Sequence, residues 1–83
     1  MRSPTLGEVY DDVKNATSEK AVSDRVDRFK AELEQEAKCY GWPALKIAAQ
    51  RAKLRVMIRT AANQEKVGAV RLNFQTALDR LAE

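Results

Sequence analysis

The chain has 83 residues, of which 45% are apolar and 6% aromatic, and its formal net charge is +3 with no histidine. A chain of this length supports one domain with a small core, so we expect residues 1–83 to form a single helical domain. No apolar run approaches the roughly 20 residues that cross a bilayer, and the N-terminus lacks the pattern of a secretion signal. We therefore expect a cytoplasmic protein that does not enter a membrane.

The spacing of apolar residues predicts helices along the whole chain. In residues 1–40, two stripes of apolar residues recur at helical spacing but differ in phase. The first stripe is Leu6, Val9, Tyr10 and Val13, and the second is Val22, Val26, Phe29, Leu33, Ala37 and Tyr40. The change of phase predicts a kink or break near residues 15–20, with Thr17 or Ser18 as the cap of the helix that follows.

The tripeptide Gly41-Trp42-Pro43 divides the chain into two arms of equal length, residues 1–40 and 44–83. Glycine commonly ends a helix in the left-handed conformation, and proline is favoured at the start of the next helix. We predict an all-α antiparallel hairpin with its bend here, so that residues equally far from the bend face each other. Tyr40 and Trp42 then form an aromatic tip, which closes the end of the core or contacts a partner.

The helix predicted at residues 44–62 has two apolar stripes on opposite sides. One stripe is Leu45, Ala48, Ala49, Ala52 and Val56, and the other is Ile47, Leu54, Ile58 and Ala61. Because a lone hairpin has too little core, we predict that the second stripe forms a dimer or partner seam, which makes the protein a homodimeric helical bundle.

An alternative arrangement keeps that second stripe within one chain. If the arms break near residues 15–20 and 62–66 and fold back, residues 6–13 and 67–81 cover the stripe. The last apolar stripe of the chain is Val67, Val70, Phe74, Ala77 or Leu78, and Leu81.

Residues suited to catalysis or to metal binding are scarce. The chain lacks histidine, the commonest ligand of transition metals and the side chain best suited to proton transfer near neutral pH. We expect Cys39, the single cysteine, to be partly buried, and Glu32 and Glu36 to lie on a solvated face. These features predict a protein that is not an enzyme and has no catalytic site, cofactor or metal.

Basic residues without acidic neighbours mark the segment from Ala44 to Gln64. They are Lys46, Arg51, Lys53, Arg55 and Arg59. The arginines are spaced by four, so on a helix they form one ridge that could contact successive phosphates.

Two other interpretations of this ridge do not involve nucleic acid. In one, the arginines face the acidic residues of the first arm and fix the hairpin register, for example with Asp27 opposite Arg55. The acidic residues concerned are Asp24, Asp27, Glu32 and Glu36. In the other, the arginines form the charged rim of an apolar contact with an acidic protein partner.

We therefore expect a small regulatory or adaptor protein that binds a protein partner through helix 44–62 and the Trp42 tip. One alternative is a dimer that binds RNA or DNA through the arginine ridge, and another is a structural assembly subunit. The residues predicted to contact the partner are Arg51, Arg55, Arg59, Lys46, Lys53, Trp42 and Tyr40. The predicted dimer or partner seam is Ile47, Leu54, Ile58 and Ala61.

Overall fold

A computed structural model describes residues 5–64 and 68–83, which form α-helices and no β-strand. In chain order these helices are α1 (Leu6–Lys14), α2 (Glu19–Tyr40), α3 (Ala44–Gln64) and α4 (Ala69–Ala82). The all-α class predicted from the sequence is confirmed. The molecule measures 41 × 21 × 20 Å, and its long dimension reflects α2, whose 22 residues extend about 33 Å. Residues 62–64 of the predicted break near 62–66 are helical, whereas the rest of that break and Val67, the first residue of the last predicted stripe, lie outside the described residues.

Residues 15–18 separate α1 from α2. The Ser18 side-chain oxygen accepts a hydrogen bond from the backbone N–H of Ala21 at 3.1 Å, which caps α2. Because the chain turns where the apolar stripe changes phase, the stripes of both helices face the same core. Their buried members are Val9, Val13, Val22, Val26, Phe29, Leu33 and Ala37.

A left-handed glycine ends α2. Gly41 has φ 67° and ψ 36°, and the backbone N–H of Trp42 donates to the carbonyl of Ala37 at 2.9 Å. This 6→1 bond is typical of a glycine-terminated helix. The carbonyl of Pro43 then accepts from the backbone N–H of Lys46 at 3.0 Å, so α3 begins immediately after the proline.

The buried face of α3 lies in the core of the same chain. Leu54 and Ile58 have no exposed surface, and they pack in one cluster with Phe74, Ala77 and Leu81 of α4. The assignment of Leu54 and Ile58 to a dimer or partner seam is therefore wrong. The alternative arrangement explains the result: α1 and α4 both pack against α3, and they cover the stripe within one chain.

The two other members of the predicted seam are less deeply placed. Ile47 and Ala61 are partly buried and pack against the edge of the core. A homodimer stays a prediction, but the stripe on which it was based is mostly internal.

The hydrogen bonds of Asp27 show that α4 faces this part of α2. Arg80 of α4 donates from Nη2 to Oδ2 of Asp27 at 2.7 Å and from Nε to Oδ1 at 2.8 Å. The predicted pairing of Asp27 with Arg55 is therefore wrong. The two hydrogen bonds lower the pKa of the Asp27 carboxyl and raise the pKa of the Arg80 guanidinium.

Three other acidic residues of α2 were also predicted to face the arginines of α3. Asp24 and Glu32 form ion pairs within their own helix, with Lys20 and Arg28 respectively. Glu36 was expected on a solvated face but is only 2% exposed. Asp24 and Glu32 therefore pair within α2 and do not set the register of α3.

Candidate functional site

The outward face of α3 carries apolar residues that the core does not use. Leu45 is 81% exposed and Val56 is 65% exposed, and Ala49 and Ala52 between them are also exposed. These four residues are spaced by four, three and four, so they lie in one line along about three turns of helix. We call Leu45, Ala49, Ala52 and Val56 the α3 seam. It lies on the other side of α3 from the predicted dimer or partner seam of Ile47, Leu54, Ile58 and Ala61.

A groove runs along one side of the α3 seam. It has a volume of about 630 Å³ and lies between the start of α1 and the middle of α3. Its lining is Leu6, Ala49, Ala52, Lys53, Val56 and Met57. Among the described residues that line it, Lys53 is the only charged one, so this part of the groove is an apolar surface with a positive edge.

The basic residues predicted to contact a partner have separate environments in the structure. Lys53, Arg55 and Arg59 are exposed, and within residues 5–64 and 68–83 their side chains form no hydrogen bond or ion pair. Arg51 differs from them: its Nη2 donates to the carbonyl oxygens of Leu81 at 2.9 Å and Glu83 at 3.0 Å.

Arg51 therefore stabilises the C-terminal end of α4, where carbonyl groups lack helical partners. The predicted ridge of three equivalent arginines is wrong in this respect. Arg55 and Arg59 remain available to a partner, whereas Arg51 is used within the chain.

A third arginine, which the sequence interpretation missed, joins Arg55 and Arg59. A cleft of about 380 Å³ between α3 and α4 is lined by Arg55, Arg59, Ala62, Asn63, Arg71, Gln75, Leu78, Asp79 and Ala82. Arg71 also donates to the carbonyl of Ala62 at 2.7 Å, which holds it beside α3. Only the packing of α4 on α3 brings it there, since Arg71 lies in a different helix along the chain. Asp79 offsets part of the positive charge in this cleft.

The aromatic tip lies at the junction of α2 and α3. The rings of Tyr40 and Trp42 stack with centroids 6.3 Å apart and an angle of 24°. The ammonium group of Lys46 lies 4.1 Å from the centroid of the Trp42 ring, within range of a cation–π interaction. Trp42 is half-buried against the core, whereas Tyr40 is exposed. Cys39 beside them was expected to be partly buried but is exposed.

The described residues contain no arrangement suited to a metal ion and no membrane-crossing helix. No group of three or more cysteine, aspartate or glutamate side chains in residues 5–64 and 68–83 is arranged to hold a metal ion. None of α1 to α4 combines the length and the apolar content of a membrane-crossing helix. No protein-family model, curated protein or solved structure matches this chain.

Proposed function

We propose that this protein is a small, non-enzymatic regulatory or adaptor protein that binds a protein partner through the exposed face of α3. The observation that carries the proposal is the α3 seam, in which Leu45 and Val56 are mostly exposed. Contiguous exposed apolar surface on a small protein commonly marks an interaction site.

The dimensions of the α3 seam suit a helical partner. Leu45 and Val56 are separated by about 17 Å along the helix axis at 1.5 Å per residue. Apolar anchors at this spacing with a charged rim are the requirement for contact between a helix and a groove. The groove beside Leu6 and Met57 offers space for side chains of the partner.

The aromatic tip is a second contact within the same proposal. Tyr40 is 64% exposed, and it stacks on Trp42 only two residues before α3 begins. Tyrosine and tryptophan are enriched among the residues that dominate interface energies. A partner that extends past Leu45 towards the N-terminus of α3 would contact this tip.

A capture experiment with matched leucine variants tests the proposal. Tagged wild type, Leu45→Asp and Leu72→Asp are used to recover proteins from a lysate of the source cells, with identification by mass spectrometry. Leu72 is a suitable control because it is also an exposed leucine, 60% accessible, but lies on α4.

We expect wild type and Leu72→Asp to retain the same partner and Leu45→Asp to lose it. Retention by Leu45→Asp, or equal loss in both variants, would argue against the α3 seam as the binding surface. Circular dichroism of each variant verifies that the helices are intact.

A second candidate function is binding to RNA or DNA, which is supported by the arginine cleft. Arg55, Arg59 and Arg71 line the same space between α3 and α4, and each phosphate contact adds a salt-dependent increment to affinity. Affinity for RNA and duplex oligonucleotides measured from about 50 to 200 mM salt tests this function.

The charge-reversed variant Arg55→Glu/Arg59→Glu should reduce the slope of log affinity against log salt by about 2 if both residues contact phosphates. Lys14→Glu/Lys38→Glu, which changes the net charge equally at exposed sites on other helices, is the control. Absence of binding by the wild type at low salt removes this candidate.

A further inference from the structure

The residues that flank the α3 seam indicate the charge of the partner that binds there. This inference rests on the proposed function. The four, three, four spacing of Leu45, Ala49, Ala52 and Val56 is the spacing of core positions in a coiled coil. On such a helix, the residues beside the core positions face the partner helix. Their charges determine which charges on the partner are favourable.

The flanking positions of the α3 seam are basic on both sides. Lys46 and Lys53 directly follow Leu45 and Ala52, and Arg55 directly precedes Val56. Lys53 borders the groove next to α1, whereas Arg55 borders the clefts next to α4. Because α3 contains no acidic residue, nothing on the helix itself neutralises these charges.

The α3 helix of a second copy matches this surface poorly. In an antiparallel pair of α3 helices with Leu45 packed opposite Val56, Lys46 of one copy faces Lys53 of the other. In a parallel pair, Arg55 faces Thr60 of the other copy. Neither arrangement supplies an opposite charge, and the antiparallel one places like charges together, which is unfavourable.

We propose that the α3 seam binds an acidic amphipathic helix of another protein. Aliphatic side chains of that helix pack over Ala49 and Ala52, whose small side chains permit close approach of the two backbones. Glu or Asp residues that flank its apolar stripe pair with Lys53 and Arg55. Lys46 contributes less, since it already lies over the Trp42 ring.

Three fluorescein-labelled peptides test this charge preference directly. They have the same length and the same leucines at the core positions of a three-heptad helix, and they carry Glu, Gln or Lys at the flanking positions. Binding to the intact protein is measured by fluorescence anisotropy at low and high salt. We expect the Glu peptide to bind about tenfold more tightly than the Gln peptide, as two or three exposed charge pairs provide, with the difference reduced by salt.

Charge reversal on the protein provides the second arm of the experiment. Lys53→Glu/Arg55→Glu should invert the order, so that the Lys peptide binds most tightly. The control Lys14→Glu/Lys38→Glu has the same net charge but should keep the preference for the Glu peptide. Since Lys53 and Arg55 are exposed and form no ion pair with described residues, the reversal is not expected to disturb folding.

The possible failures separate this inference from the proposed function. Equal binding of the Glu and Gln peptides at low salt would overturn the acidic partner but leave α3 as a binding surface. Absence of binding by all three peptides overturns the acidic helix as the occupant, while loss of the cellular partner in Leu45→Asp still supports the proposed function. Light scattering that shows a dimer abolished by Leu45→Asp would assign the α3 seam to a second copy and overturn the inference.

Discussion

Leu54 and Leu45 belong to the same helix, yet the first has no exposed surface and the second is 81% exposed. Both lie in apolar stripes of α3, so hydrophobicity along the sequence does not distinguish them. The difference arises because α1 and α4 pack on the face that contains Leu54. A helix with two apolar faces can therefore contribute one face to the core of a small domain and keep the other for binding.

The largest expected difference between the two faces is in stability. Leu54→Ala should lower the free energy of unfolding by about 2 to 5 kcal/mol, because it removes buried contacts and leaves a cavity. Leu45→Ala, the matched change on the exposed face, should alter it by less than about 0.5 kcal/mol. Urea unfolding followed by circular dichroism measures both. Similar values for the two variants would show that the two faces are not distinguished in solution.

A smaller difference is expected between two arginines of α3. Arg51→Ala should lower the free energy of unfolding by about 1 kcal/mol, because it removes hydrogen bonds to the last carbonyl groups of α4. Arg55→Ala should have an effect within about 0.5 kcal/mol, since its side chain is exposed. Thermal unfolding of both variants checks this order, and a larger loss in Arg55→Ala would contradict the roles given to the two arginines.

The smallest effect concerns the attachment of α4, which covers the buried face of α3. The pKa of Asp27 is lowered from its ordinary value of 3.8, chiefly by the hydrogen bonds from Arg80. Its ionised form therefore stabilises the folded chain above about pH 4, and this contribution is lost as the pH falls through the lowered pKa of the folded state.

We expect wild type to be more stable than Asp27→Asn at neutral pH, with the difference decreasing as the pH falls below 3.8. Urea unfolding at a series of pH values measures this difference. Asp11→Asn, a change at an exposed residue of α1, is the control. A difference for Asp27→Asn that stays constant with pH would show that the carboxylate charge is not involved.

Much of the local structure could be predicted from the sequence, because the relevant signals are local. The spacing of Val22, Val26, Phe29 and Leu33 predicts α2. Ser18, whose side chain can cap a helix, indicates where α2 begins. Gly41 indicates where α2 ends. The two stripes of α3 also follow directly from residue spacing.

The arrangement of the helices could not be predicted in the same way, because it depends on contacts between distant residues. The choice between a dimer seam and an internal core for Leu54 depends on whether α4 packs against α3 of the same chain. The same choice places Arg80 rather than Arg55 next to Asp27, and it brings Arg71 into the arginine cleft. The spacing of residues within α3 contains no information about any of these contacts.

The presence of two apolar faces on α3 also has a consequence for folding. From this pattern we expect a partly folded chain to have two ways of docking α3, which differ by about half a turn about the helix axis, and one of them is incorrect. In the incorrect arrangement, the stripe that begins at Leu45 and passes through Val56 continues at Arg59, whose charge is costly to bury without a partner. The native stripe continues instead from Ile58 to Ala61 and Ala62, which are apolar. We therefore expect Arg59 to disfavour this arrangement relative to the native fold, whether or not it contacts another molecule.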